Sequence, residues 1–251
     1  MVVVWLGMME YMTTEHENDI LELWPNDRLF ENSERICVFG SSGSGKSTFV
    51  VNLVKRHHES FHKIILCGQG NELLKWKGTA HKTSLHRAQS SADEIFDPFA
   101  EIDLHQLKKK RGQILLIYDD MQESVYKSPV ISRIFSRGRH LGFSVILLLQ
   151  SFFPQGAGQS LMPQIKNNCS VQVFLKYKSQ SELGVIASKL EHAKADKEFF
   201  LSLFKRLVSK NSQTRFGYLA VFLDGTDSRT RYASNLLRED GSPHLTVYIK
   251  K

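Results

Sequence analysis

Residues 36–47 read Ile-Cys-Val-Phe-Gly-Ser-Ser-Gly-Ser-Gly-Lys-Ser. From Gly40 to Ser47 this stretch matches the pattern GxxxxGK(S/T) in full. Residues 36–39 before the match are apolar, as in a buried strand, and residues 47–58 after it have the apolar spacing of an amphipathic helix. A strand, a glycine-rich turn and a helix in this order let backbone N–H groups converge on one phosphate.

The pattern therefore predicts a P-loop, which binds a nucleoside triphosphate. In such a turn the lysine, here Lys46, reaches the β- and γ-phosphates, and the hydroxyl of Ser47 coordinates Mg²⁺. The predicted ligands are thus ATP and Mg²⁺. The predicted nucleotide-binding residues are those of the turn and the start of the helix: Gly40, Ser41, Ser42, Gly43, Ser44, Gly45, Lys46, Ser47 and Thr48. A plain Gly/Ser-rich turn is the alternative, and the flanking strand and helix argue against it.

Two adjacent carboxylates follow a second apolar run. Residues 114–118 (ILLIY) predict a buried strand, and Asp119 and Asp120 come directly after it. A P-loop enzyme needs a further acid that orients the metal, and Asp119 is predicted to hold Mg²⁺ through water. Asp120 is then placed to orient or deprotonate the attacking water. The alternative is that the two acids only begin a turn.

A third polar group ends the next predicted strand, residues 144–149. In P-loop ATPases with an additional strand beside the acid-bearing strand, a polar residue at its carboxyl end faces the γ-phosphate, and Gln150 is predicted as this sensor. Arg137 and Arg139, just before the strand, are predicted as catalytic fingers that reach the nucleotide of a neighbouring subunit. The alternative for both is a solvated basic end of a helix.

The whole chain alternates short apolar runs with amphipathic segments. This alternation predicts an α/β fold, with a mostly parallel central sheet and helices on both faces. Strands are predicted at 36–39, 64–67, 114–118, 144–149 and 171–177, and helices at 47–58, 98–109, 128–137, 159–166, 180–189 and 197–208. A hairpin is predicted to run from residues 218–223 into Asp224-Gly225, with 245–249 returning to the sheet.

One domain is predicted, because no linker or internal repeat interrupts the pattern. It covers residues 31–251, with a core at 36–177 and a C-terminal subregion at 178–251, and residues 1–30 are predicted to form an N-terminal extension or an edge strand. The longest apolar runs are too short to span a bilayer, so no membrane partner is predicted. The three cysteines are widely spaced and odd in number, which argues against a disulfide framework or a zinc module.

The motifs together resemble the FtsK–HerA superfamily of ATP-driven DNA motors. The strings GSSGSGKST, ILLIYDD, SRGRHLGFSVILLLQ and IKNNCSVQVFLKY are most similar to the poxvirus-type genome-packaging ATPases, which also occur in virophages, Polintons and adintoviruses. The resemblance covers residues 36–177. Asp120 stands where many members of the superfamily carry Glu, so its shorter arm requires a closer or water-bridged approach to the reacting water.

The resemblance implies a RecA-like core of the additional-strand (ASCE) P-loop NTPase class. It implies a homo-oligomeric ring around double-stranded DNA, bound without sequence preference, and translocation of a viral or virus-like genome into a preformed capsid. Capsid proteins are then partners, and the place of action is the site of virion assembly in the host cell, in the nucleus or the cytoplasm. Association with the virion is a further expectation.

Basic residues are the candidates for holding DNA. The chain carries 33 Lys+Arg against 26 Asp+Glu, a net charge of +7, which permits an acidic partner without requiring one. The densest run is residues 108–111, for which a DNA channel, a nuclear-import signal and a solvated helix end are alternatives. Residues 171–215 contain nine Lys/Arg against four acids. His57, His58 and His62 are predicted to be an exposed helix end, since no acid or cysteine completes a metal site.

Two other classes of function remain as alternatives. One is another P-loop enzyme, such as a small-molecule kinase or a GTPase. A GTPase requires an NKxD motif, which residues 167–169 (Asn-Asn-Cys) do not supply. The other is a DNA-binding or capsid-assembly protein in which the P-loop binds nucleotide only as a switch, without hydrolysis.

Overall fold

The structure is a computed structural model, which describes the following residues of the chain. They are residues 20–23, 29–30, 33–68, 83–87, 113–121, 125, 128–153, 162–177, 179–191, 193–209, 217–223, 231–234 and 245–248. The predicted helix at 98–109, the basic run at 108–111 and the turn at Asp224-Gly225 lie outside these residues.

Within the described residues, ten strands form one sheet in the order β1-β10-β9-β8-β7-β2-β6-β5-β3-β4. The six strands from β7 to β4 are parallel to one another, and β8, β9, β10 and β1 continue the sheet in antiparallel pairs. The strands are β1 (Ile20–Leu23), β2 (Arg35–Phe39), β3 (Phe61–Gly68), β4 (Thr83–Arg87), β5 (Gln113–Asp119), β6 (Phe143–Leu149), β7 (Val171–Phe174), β8 (Leu219–Phe222), β9 (Tyr232–Ser234) and β10 (Leu245–Tyr248).

Helices cover both faces of this sheet. The described helices are α1 (Lys46–His57), α2 (Pro129–Leu141), α3 (Met162–Asn167), α4 (Gln180–Leu190) and α5 (Lys194–Phe204). Side chains of β2 alternate between two apolar clusters, since Cys37 and Phe39 join one and Ile36 and Val38 the other. The first cluster contains residues of α2 to α5, and the second contains the apolar face of α1. The predicted α/β class with helices on both faces is confirmed.

The position of β6 defines the subtype of the fold. It pairs in parallel with β2 on one side and with β5 on the other. The strand that leads into the glycine-rich turn is therefore separated by one additional strand from the strand that ends in the two aspartates. Because parallel strands end at the same edge, the turn, the aspartates and Gln150 share the carboxyl edge of the sheet.

The C-terminal subregion differs in detail from its predicted elements. β8 does not pair with β10, the returning strand predicted at 245–249; β9 lies between them. The three residues of β9 were not predicted, because a Tyr-Ala-Ser segment shows no alternation long enough to indicate a strand. Helix α5 begins three residues before the predicted start at 197, and five π-helical residues (Lys205–Ser209) follow it.

One histidine contradicts its predicted exposure. His57, predicted to be part of an exposed helix end, is buried at the end of α1. Its ring meets the ring of Phe30 edge-on, with centroids 5.3 Å apart, and Phe30 also packs against Phe61. The covering residue comes from a distant part of the chain, so no local pattern reveals it. Among the described residues, no group of three or more His, Cys, Asp or Glu side chains is arranged to hold a metal ion.

All three cysteines are buried and none forms a disulfide bond, and the sulfur atoms of Cys37 and Cys169 are in contact at 3.0 Å. No helix within the described ranges is long and apolar enough to cross a membrane.

Candidate functional site

The glycine-rich turn is fixed to both strands that flank β2. The N–H of Gly40 donates to the carbonyl of Leu149 at the end of β6 (3.1 Å), and the N–H of Ser41 donates to the carbonyl of Lys176 after β7 (3.0 Å). Leu175 in turn donates its N–H to the carbonyl of Phe39 (2.8 Å). The turn is thus held at its base by three strands of the parallel sheet, which makes its position rigid.

Glycines allow the turn to curl tightly. Gly45 precedes α1 in the left-handed conformation (φ 94°), where a side chain would be strained. At Gly40 a Cβ atom would lie 2.5 Å from Oγ of Ser44 and 3.1 Å from Cβ of Leu175, so a side chain there would force these neighbours to shift. Oγ of Ser44 is buried with no hydrogen-bond partner among the described residues. A curled turn of this shape with an unused hydroxyl inside it fits an anionic phosphate group.

Lys46 closes over this turn. Its Nζ donates to the carbonyl oxygens of Gly40 (2.8 Å) and Ser41 (3.1 Å), which places the ammonium group at the mouth of the turn. Burial lowers the pKa of Lys46, while the nearby carboxylates of Asp119 and Asp120 act in the opposite direction. Ser47 is half-buried in the first turn of α1, and Thr48 beside it is exposed. The positive charge of Lys46 therefore interacts with the negative charges of both aspartates.

The two aspartates at the end of β5 have different surroundings. Asp119 is buried (4% exposed), whereas Asp120 is exposed and lies in the left-handed backbone region (φ 56°). Oδ1 of Asp120 accepts a hydrogen bond from Nε2 of Gln150 (3.1 Å). The structure thus brings together Asp120 and Gln150, two groups predicted independently from the sequence. One buried and one accessible carboxylate at the same edge suit the two different roles predicted for them.

The arginines lie on α2, away from this edge. Nη1 of Arg35, at the start of β2, donates to the carbonyl of Phe135 (3.0 Å), so the second half of α2 lies over the amino edge of the sheet. Arg137 is exposed there and lines a groove of about 450 Å³ together with Arg133. Arg139 follows on the same helix, and its side chain lies outside the described residues. The chain's own fold does not bring Arg137 to its glycine-rich turn.

Two polar residues beside the site were not predicted. Ser151 follows Gln150, and its Oγ donates to the Glu182 carboxylate in the first turn of α4 (3.0 Å). Glu182 also donates its backbone N–H to Oγ of Ser179, the N-cap of that helix (3.2 Å). The spacing S-x-x-E of Ser179 and Glu182 is a capping-box signal in the sequence. The contact with Ser151 requires the tertiary fold, so the sequence alone could not show it.

The strand order and the site together define a class of protein. A parallel sheet with one additional strand between the glycine-rich turn and the two aspartates is the fold of the additional-strand P-loop NTPases. The model of the family described as "Poxvirus A32 protein" matches residues 23–176, more than half of the sequence, and the chain belongs to this family. The resemblance indicated by the motifs is confirmed at the level of the family.

Curated relatives carry the name "DNA packaging protein OPG160". The protein of Variola virus is 26% identical over an aligned length of 138 residues, and the alignment covers 50% of this chain and 49% of that protein. The protein of Vaccinia virus (strain Copenhagen) gives the same identity and coverage. The chain therefore matches about half the length of these relatives.

Solved structures support the fold. The crystal structure of B204, the DNA-packaging ATPase from Sulfolobus turreted icosahedral virus, is similar with a TM-score of 0.51 and 19% identity, over 76% of this chain and 93% of that one. The genome packaging NTPase B204 from Sulfolobus turreted icosahedral virus 2, in complex with AMPPCP, gives 0.50 and 20%, over 76% and 92%. At these identities the likeness shows a shared fold.

Proposed function

We propose that this protein is an ATPase that couples hydrolysis to the movement of double-stranded DNA, and so packages a viral or virus-like genome into a preformed capsid. The observation that carries the proposal is the carboxyl-edge cluster of Lys46, Asp119, Asp120 and Gln150 on an additional-strand P-loop fold. Support for DNA as the substrate comes from the family and from relatives named as DNA packaging proteins.

The proposed roles follow from the surroundings of each residue. The curled turn from Gly40 to Ser47 binds the triphosphate, and Lys46 pairs with its β- and γ-oxygens once it leaves the two carbonyls that it now contacts. Asp120 is exposed, so it is the acid that can meet a water molecule and orient or deprotonate it. Gln150 holds Asp120 and senses the γ-phosphate.

Ser47 and Asp119 are the residues proposed to hold Mg²⁺. A hydroxyl at the start of α1 and a buried carboxylate at the same edge supply the oxygen ligands that this ion prefers. When bound, the ion neutralises charge on the phosphates.

A ring of identical subunits is proposed because the arginine candidates are remote from the chain's own P-loop. Arg137 lies over the amino edge of the sheet, so a finger on α2 acts only on the nucleotide of a neighbour. The proposed ring surrounds DNA and contacts its phosphates without reading sequence. One P-loop domain over residues 31–251, capsid proteins as partners and a place at the site of virion assembly belong to the same proposal.

DNA-stimulated ATP hydrolysis tests the proposal. The full chain is assayed with Mg²⁺, with and without linear double-stranded DNA, alongside Lys46→Ala, Asp120→Asn and two control variants, Lys55→Ala and Glu198→Gln. The controls remove the same charges at exposed positions away from the site. We expect hydrolysis that DNA stimulates and that both site variants lose, while both controls keep it.

Each alternative function gives a different result in the same assay. A small-molecule kinase would transfer the phosphoryl group to an acceptor and would not respond to DNA. A nucleotide-binding switch would bind ATP with little turnover in any condition. Either result would overturn the proposed motor.

A further inference from the structure

A second cavity lies on the face of the sheet opposite α1. It encloses about 590 Å³ between the segment after β6, helix α3 and the C-terminal subregion. Phe152 and Phe153 line it from the core, and Lys189 and Arg231 line it from the chain beyond residue 176, where the family match ends. Its volume is within the range of small-molecule sites.

Three cationic side chains border this cavity: Lys166, Lys189 and Arg231. Nζ of Lys166 lies 3.9 Å from the centre of the Phe152 ring and donates to the carbonyl of Phe152 (2.9 Å). Glu191 pairs with Arg231, at 3.4 Å between the carboxylate and Nε. The cavity wall therefore keeps two ammonium groups next to an aromatic and aliphatic surface.

A buried acceptor points to a ligand independently of these charges. Gln172, on β7, is 2% exposed and lines the cavity. Its Nε2 donates to the carbonyl of Lys166 (3.4 Å), whereas its Oε1 has no hydrogen-bond partner among the described residues. A buried acceptor without a donor is costly, so native proteins satisfy nearly all such atoms. A molecule in the cavity with an N–H or O–H group would satisfy this one.

We propose that this cavity binds a small organic anion that has an apolar body and a hydrogen-bond donor. The anionic group pairs with Lys166 and Lys189, the apolar body packs on Phe153 and its neighbours, and the donor reaches Oε1 of Gln172. This site is separate from the P-loop, because it lies on the face of the sheet that α2 to α5 cover, whereas α1 covers the other.

A short segment of chain connects this cavity to Gln150, the proposed γ-phosphate sensor. Phe153 is three residues after Gln150, and its N–H donates to Oγ of Ser151 (3.1 Å), the residue between Gln150 and Phe152. A ligand that packs on Phe153 therefore stabilises one arrangement of the segment that carries Gln150. Binding itself does not depend on the proposed ATPase function, whereas an effect on hydrolysis does.

Fluorescence titration with 8-anilinonaphthalene-1-sulfonate tests the site, since this probe has a sulfonate, an aromatic body and one N–H group. The full chain is titrated with and without excess ATPγS, alongside Lys166→Met, Lys189→Met, Gln172→Leu and the control Lys55→Met, which lies on α1. We expect one saturable site per chain that ATPγS does not displace. Its affinity should fall about fivefold or more in the lysine variants and in Gln172→Leu, and stay unchanged in the control.

Three results would overturn the proposal: no saturable binding, displacement of the probe by ATPγS, or equal affinity in all variants. Circular dichroism melting shows whether each variant is folded. Lys189 is exposed, so Lys189→Met keeps the test decisive even where a substitution of a more buried residue impairs folding.

Discussion

Asp120 has a backbone conformation that few side chains tolerate. Its φ of 56° lies in the left-handed region, which costs most residues about 1 kcal/mol and Asp or Asn less. This turn after β5 directs the carboxylate to Gln150, at 3.1 Å from Nε2. The hydrogen bond to Gln150 thus orients the short side chain of Asp120, and the left-handed backbone at this position is one that Asp tolerates better than most residues.

Substitutions of Asp120 separate its backbone role from its proposed chemical role. Asp120→Asn keeps both the tolerance for this φ and an acceptor for Gln150, so we expect the free energy of unfolding to change by less than about 0.5 kcal/mol. ATP hydrolysis should fall about 10²-fold or more, because an amide cannot take a proton. Asp120→Ala should lose the same activity and about 1 kcal/mol of stability. Urea unfolding and single-turnover hydrolysis measure the two effects, and an active Asp120→Asn variant would contradict the role.

At the scale of elements, Gly184 is an unfavourable residue inside α4. A Cβ atom there would meet nothing within 4 Å, and glycine in the middle of a helix costs about 0.5–1 kcal/mol relative to alanine. We expect Gly184→Ala to raise the free energy of unfolding by that amount. Thermal melting checks this, with ATP binding as a control that should not change. A lower melting temperature would show that α4 packs more tightly than the structure indicates.

The end of α4 is attached to β9 by a buried tyrosine. The hydroxyl of Tyr232 donates to the carboxylate of Glu191, and burial, followed by this hydrogen bond, raises the pKa of Tyr232. A raised folded-state pKa favours the neutral phenol, so the contribution to stability is complete below pH 10, the unfolded value, and is lost as the pH rises above it. We expect unfolding measurements to show a steeper decline above pH 10 for the wild type than for Tyr232→Phe.

Below pH 10 the same variant should be less stable than the wild type by about 1–2 kcal/mol, because Glu191 loses a buried donor. Equal pH profiles for the two proteins would show that Tyr232 ionises in the folded state as it does in water.

Local pattern was enough to predict the central elements. Apolar runs predicted β2, β3, β5 and β6 to within three residues at each end. These strands are recognisable because a strand buried on both faces is a nearly continuous run of apolar residues. β9 and the burial of His57 were not predictable, since both depend on partners distant in sequence. The approach of Gln150 to Asp120 likewise follows from the order of strands, which local patterns constrain but do not specify. The contact of Ser151 with Glu182 also depends on the tertiary fold.

For the whole molecule, the net charge of +7 has a more specific interpretation once the fold is known. Lys46 contacts the glycine-rich turn, and Arg137 is exposed on α2. Lys166, Lys189 and Arg231 surround a cavity in the region where the C-terminal subregion meets the core. Several cations thus lie at candidate anion sites, and exposed residues such as Lys176 and Lys205 are candidates for the proposed weak contacts with a DNA backbone.

Mixed subunits test whether neighbouring subunits of the proposed ring share an active site. Subunits with Arg137→Ala or Arg139→Ala are mixed in equal amounts with subunits that carry Asp120→Asn, each inactive alone. If the arginine acts on the neighbour's nucleotide, about a quarter of the interfaces combine an intact aspartate with an intact arginine, and hydrolysis partly returns. No recovery for either arginine would mean that neither acts between subunits.

In the proposed function, ATP hydrolysis moves the protein along double-stranded DNA. Displacement of a triplex-forming oligonucleotide from a linear duplex measures this movement directly, because a translocating motor removes the third strand when it arrives. We expect displacement that requires hydrolysable ATP, is absent with ATPγS, and is lost in Asp120→Asn. Hydrolysis that DNA stimulates without any displacement of the third strand would contradict the proposed movement along DNA.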